Sequence, residues 1–149
     1  MRIVIQRVKK ASVEVDGKIA ASISHGLLLL VGIAKDDSVE TAVNMARKIA
    51  DLRIFEDGDG KMNLNIRQAG GCILSVSQFT VMADTHKGNR PGFDGGASPS
   101  YANEFWEVFN NWFAAESITI KKGIFGAKML VELVNDGPVT FILDSHREK

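Results

Sequence analysis

Leu27-Leu28-Leu29-Leu30-Val31-Gly32-Ile33 carries no polar side chain. The run is too short for a bilayer span, which takes about 20 residues, and it lacks the alternation of a strand with one wet face. It reads as a central strand buried on both faces, so apolar layers are expected on either side of it. Met1-Arg2-Ile3-Val4-Ile5-Gln6-Arg7, upstream, alternates as a strand rather than as a signal peptide. Val13 and Val15 alternate with Ser12, Glu14 and Asp16, and Asp16-Gly17 then precedes Lys18 to Ile23, the pattern of a hairpin closed by a tight turn.

Downstream the period changes. Val39, Ala42, Val43, Ala46, Ile49 and Ala50 recur at helical spacing, with Asp37 or Ser38 as cap, which predicts a helix over about 38 to 51. A second helix opens with Ser98 as cap and Pro99 at the first helical position, and Tyr101, Phe105, Val108, Phe109, Trp112 and Phe113 form its apolar stripe. That stripe reads as core rather than as a base-stacking platform. Arg53-Ile54-Phe55, Gly71 to Gln78, Ser117 to Lys121, Met129 to Val134 and Val139 to Leu143 read as further strands. The expected fold is α/β of α+β type: curled, mainly antiparallel sheet layers with two helices packed outside, in a single domain over 1–149.

Hydrophobic residues at 45% and charged residues at 24% suit a globular protein and exclude a disordered tail. The lone Cys72 has no internal disulfide partner and lies in an apolar run, so a buried inert thiol and a cytoplasmic location are expected. His25, His86 and His146 lie far apart with no cysteine or carboxylate at ligand spacing, and Asp57-Gly58-Asp59-Gly60 lacks the glycine and glutamate that a calcium loop requires at its sixth and twelfth positions. No metal and no cofactor are expected, and the Asp57 segment reads as a turn between strands. A formal net charge of zero means that any RNA contact is local, through Lys9-Lys10, Lys87 with Arg90, or Lys121-Lys122 with Lys128.

Two segments combine polar groups with a constrained backbone. Ser77-Gln78-Phe79-Thr80 ends an apolar strand and enters the loop Ala83 to Phe93. On physics alone it reads first as a strand end and surface loop, and second as a site in which Ser77 or Thr80 is activated by His86 with Asp84. Asn135-Asp136-Gly137-Pro138-Val139-Thr140 reads first as a tight turn between strands, and second as bare backbone able to press against a substrate.

These two segments and Lys87-Gly88-Asn89-Arg90-Pro91 resemble, in order, the motifs of the D-aminoacyl-tRNA deacylase family. The resemblance extends over nearly the whole chain, including Met1 to Val8, Leu52 to Glu56 and Phe125-Gly126-Ala127. It implies a homodimer that hydrolyses the ester joining a D-amino acid, or glycine mischarged on tRNA(Ala), to the terminal adenosine of tRNA. The active site then lies at the subunit interface. Ser77, Gln78, Phe79 and Thr80 act mainly through backbone and positioning, and a cis Gly137-Pro138 from the partner selects chirality. Lys87, Asn89, Arg90, Pro91 and Asn135 contact the aminoacylated 3′ end of the tRNA. Gly92 and Val81 depart from the usual pattern, and Gly92 puts in doubt any contact made through that side chain. Two rivals stand beside this reading: a Ser/Thr hydrolase of another small ester, and a noncatalytic RNA- or DNA-associated dimer.

Overall fold

The structure is a computed structural model that describes residues 1–146; the last three residues of the expected domain lie outside the described residues. Among the described residues, eight strands and three α-helices form one domain of α+β type. The long first strand β1 (Arg2–Val15) organises the sheet. On one edge its first half pairs antiparallel with β3 (Gly26–Gly32), and its second half pairs with β2 (Lys18–Ile23). On its other edge it pairs along its length with β8 (Leu130–Asp144). Parallel pairing then carries the sheet from β3 to β6 (Cys72–Ser77) and on to β7 (Ile120–Lys122). Each parallel step needs a long crossover. Helix α1 (Val39–Asp51) lies in the first and α3 (Pro99–Ala115) in the second. The hairpin β4 (Phe55–Glu56) and β5 (Met62–Leu64) and the one-turn helix α2 (Ile66–Ala69) complete the first crossover.

The unbroken apolar run follows from this layering. Leu27, Leu29 and Val31 face a core built with α1 and α3, whereas Leu28 faces a second core with Val13, Leu74 and Val76, enclosed by the curl of the sheet. β1 serves both cores by changing face. Ile3 and Ile5 point to the helices, the pairing with β8 shifts register around Val8, and Val8, Ala11 and Val13 then point into the curl. One extra residue inverts the in-out alternation of all that follow, and a bulge also bends the strand.

The helices form where their periodicity places them. Ser38 and Thr41 make a reciprocal capping box, each side chain accepting the other's backbone N–H at 3.2 Å. Ser38→Ala is expected to cost about 1 kcal/mol of stability, measured by urea denaturation, with activity retained. In α3 the predicted stripe is extended by Trp106, fully buried with its Nε1 donating to Ser75 Oγ at 2.9 Å, which ties the helix to β6.

Four expectations need correction. Arg53 and Ile54 precede the short β4, and β7 begins at Ile120 rather than Ser117. Cys72 is half-buried, at the edge of the second core. Asn135 to Val139 is no tight turn between neighbours: both flanks belong to the single strand β8 and pair with the same partner β1. Val8 faces Asn135 and Gln6 faces Thr140, so four residues of β8 stand opposite Arg7 alone. The turn-forming residues are spent on an excursion inside one strand.

Candidate active site

The parallel strands β3 and β6 end side by side, with Val31 opposite Ser77. Gln78 N–H donates to Val31 O at 2.8 Å, and the chain then winds into a single 3-10 turn, Phe79–Met82. Gly32 lets that turn sit against the end of β3, because a Cβ there would overlap Val81 and Met82. Arg2 clamps the turn from the other side, donating from Nη1 to Val81 O at 3.1 Å and from Nε to Asp144 at 2.8 Å. Burial works against ionisation of Asp144, but the His146 N–H and the Arg2 guanidinium outweigh it and hold its carboxyl below the usual range.

A cavity of about 420 Å³ opens here. Ser77, Gln78 and Phe79 form one side of it, and Ile33, Phe93, Phe125 and Met129 supply apolar wall. The ring of Phe79 is mostly exposed and meets Phe93 edge-on at 4.9 Å. Within the turn, Val81 N–H bonds Gln78 O and Ala83 N–H bonds Thr80 O, while the N–H groups of Phe79 and Thr80 have no acceptor among the described residues. The opening donors of a helical turn have no intrahelical acceptor. Two adjacent amides are thus free where the chain leaves the apolar cavity wall at Phe79. A second cavity of about 410 Å³, bordered by Gln6, Leu28 and Val131, shares Gln78, Ala127 and Met129 with the first.

Of the side chains in the nucleophile reading, His86 meets Asp84, but neither Ser77 nor Thr80 is hydrogen-bonded to His86 among the described residues. Thr80 Oγ1 is hydrogen-bonded by Gln78 Nε2. The His86 ring bonds Asp84 at 2.7 Å and points into solvent, 93% exposed. The His86 backbone N–H and ring hold the Asp84 carboxyl below its usual range. Asp84 and Gly92 exchange both backbone hydrogen bonds at 2.8 Å and close the loop between them. Gly92 thus contributes through its backbone. Lys87, Asn89, Arg90 and Pro91 are exposed on this loop, which runs from the 3-10 turn to Phe93 in the cavity wall.

Gly137-Pro138 is exposed, and its peptide bond is cis. It lines neither of these cavities in its own chain: β1 and β3 separate β8 from β6, and Gly137 lies at the level of Arg7 whereas Ser77 lies near that of Ile3. Sequence reasoning missed Arg7, which is 4% exposed and holds this excursion from behind. Its Nη1 donates to Ile54 O at 2.8 Å, and its Nε lies 3.1 Å from Asp136, which Lys9 also approaches at 3.6 Å. The signal was present: Arg7 continues the inward series Ile3, Ile5, where a charge requires a partner. Asn135 bonds Arg7 O and Val139 O through its amide nitrogen.

A family model described as D-Tyr-tRNA(Tyr) deacylase matches residues 4–144. The chain belongs to that family. It is a hydrolase acting on D-aminoacyl-tRNA. Among solved structures, the enzyme resembles one described as "c-Myc DNA Unwinding Element Binding Protein", with 38% identity and a TM-score of 0.93 over 99% of this chain and 100% of the other. A second, described as "a probable eukaryotic D-amino acid tRNA deacylase", is 14% identical with a TM-score of 0.83 over 95% and 97%, a likeness of fold. No described helix of the enzyme is long and apolar enough to cross a membrane.

Proposed function

We propose that the enzyme is a cytoplasmic homodimer that proofreads the chirality of aminoacyl-tRNA, with each cavity completed by Gly137-Pro138 of the other subunit. The carrying observation is a pair of adjacent free amides, one on Phe79 in the cavity wall and one on Thr80 next to it in the chain. An aminoacyl ester beside an α-ammonium is already electrophilic, so the site must chiefly orient the ester, admit one water and stabilise the oxyanion. Water adds to the ester carbonyl, and the negative oxygen is received by the two amides. The bond to the ribose oxygen then breaks, that oxygen takes up the proton, and free amino acid and tRNA leave. A ribose hydroxyl of the substrate assists the water, and the apolar wall excludes other solvent. Lys87, Asn89, Arg90 and Pro91 contact the 3′ end from the rim.

Selection is steric. The backbone of Gly137-Pro138 occupies the volume an L side chain needs, whereas a D side chain points away and glycine has nothing to collide. Many D-aminoacyl groups and glycyl-tRNA(Ala) are therefore substrates. The dimer is supported by β8, which pairs only with β1 among the described residues yet exposes Leu130, Val134, Phe141 and Ile142. A long apolar edge strand invites a partner, and sizing of the purified protein tests it.

A deacylation assay with D-tyrosyl-, L-tyrosyl- and glycyl-tRNA tests the whole reading: D and glycyl esters are cleaved, and comparable rates for D and L would defeat it. Thr80→Ala keeps the backbone amide and is expected to retain most of kcat. A collapse of kcat in a folded Thr80→Ala protein would restore the nucleophile reading.

A further inference from the structure

We infer that Asn135 is a positioning residue for the chiral selector, an inference that rests on the Gly137-Pro138 reading above. An asparagine amide has two N–H donors and two acceptor sites on its oxygen. All four have a partner within reach inside the chain. Nδ2 donates to Arg7 O at 2.9 Å and to Val139 O at 3.1 Å. Oδ1 accepts from Gln6 Nε2 and from Thr140 Oγ1, both at 3.3 Å.

The placement gives these bonds a purpose. Pairing between β1 and β8 lapses between Val8–Asn135 and Gln6–Thr140, where four β8 residues face Arg7 alone. Backbone groups left without a ladder partner need another. Asn135 stands at one foot of the excursion and reaches Val139 and Thr140 at the other, while holding Arg7 and Gln6 of the neighbouring strand. The amide thus fixes the span and the distance from β1 of a loop whose tip is Gly137-Pro138. Thr140 adds a donor choice, since its hydroxyl also lies 3.3 Å from Pro138 O. With both donors and at least one acceptor site engaged inside the chain, Asn135 has at most one acceptor site open to a substrate and acts through the selector, not on the ester.

The test compares D- and L-tyrosyl-tRNA deacylation by wild type, Asn135→Ala and Asn135→Asp, with thermal unfolding of each. Asn135→Asp keeps the size and loses both donors, so it serves if the alanine variant does not fold. The expected result is a D-to-L ratio of kcat/KM that falls roughly tenfold to a hundredfold, through faster L-ester cleavage, the scale of an ångström-level misplacement. KM for the D ester changes little, and Thr140→Val gives a smaller effect in the same direction. An unchanged ratio overturns the inference, whether activity is kept, falls with the folded fraction, or falls through a KM raised equally for both esters as a direct substrate contact requires. A wild type that does not distinguish D from L overturns the selector reading itself, a different result from an unchanged ratio in the variants.

Discussion

Gly137→Ala is expected to leave the enzyme folded and to destroy its discrimination, lowering the D-to-L ratio of kcat/KM by about a hundredfold, the cost of misplacing a group at the reacting centre. Gly137 has φ of +119°, a region that L side chains rarely adopt. A Cβ there would stand 2.6 Å from Val139 Cγ2, 2.8 Å from Val139 N and 3.2 Å from Arg7 Nη2. Arg7 cannot yield freely, because it is buried and anchored on Ile54 O. The excursion itself must move, at a cost of order 1–3 kcal/mol, and its backbone withdraws from the volume that excludes an L side chain. The fold survives because β8 is held by β1 on both sides of the excursion. Gly92→Ala is the control: the nearest atom to its added Cβ is Asp84 O at 3.8 Å, so it is expected to keep wild-type selectivity. Paired D- and L-tyrosyl-tRNA kinetics measure both variants, and an unaltered ratio in Gly137→Ala would remove the selector role from this peptide.

Those contacts also mark what the sequence made legible. The Leu27–Ile33 run announced a strand with two apolar faces, and the structure supplies a helical layer on one and the curl of the sheet on the other. Helical periods placed α1 and α3 because local spacing is enough to define an amphipathic face. The continuity of β8 was hidden: Asn135-Asp136-Gly137-Pro138 has turn chemistry, and only pairing with the distant β1 keeps both flanks in one strand. The parallel pairing of β3 with β6 depends on crossover geometry, and no local spacing encodes it. In the same way Ser77 to Thr80 stood out as polar groups at a strand mouth, while Phe93, Phe125 and Met129 became cavity wall only once the long connections had folded back. Resemblance to a family singled out Asn135 and Gly137-Pro138 as candidates. It did not show that Arg7 and the Asn135 amide support them.

The separation of Gly137-Pro138 from its own chain's cavity leads to the last expected result, in which an inert subunit restores selectivity in trans. Ala127 lies outside β8 and borders both cavities, neither of which Gly137-Pro138 lines, so Ala127→Phe is expected to fill the site without touching the selector peptide. That chain cleaves nothing but carries a sound selector, whereas a Gly137→Ala chain has an open cavity and a faulty one. In a two-fold dimer each surface is used reciprocally. Co-refolding the Gly137→Ala chain with a tenfold excess of Ala127→Phe therefore places about nine in ten open cavities opposite a sound selector if chains pair at random. L-tyrosyl-tRNA cleavage per Gly137→Ala chain is expected to fall about tenfold, while D-tyrosyl-tRNA cleavage persists. Selection within one chain predicts no effect of the inert partner on either rate, because every open cavity would keep its own faulty selector. Ala102→Trp, which fills the first cavity from α3, is expected to act as the same donor of selectivity. Agreement between the two fillers ties the rescue to the selector they share and not to either filled cavity.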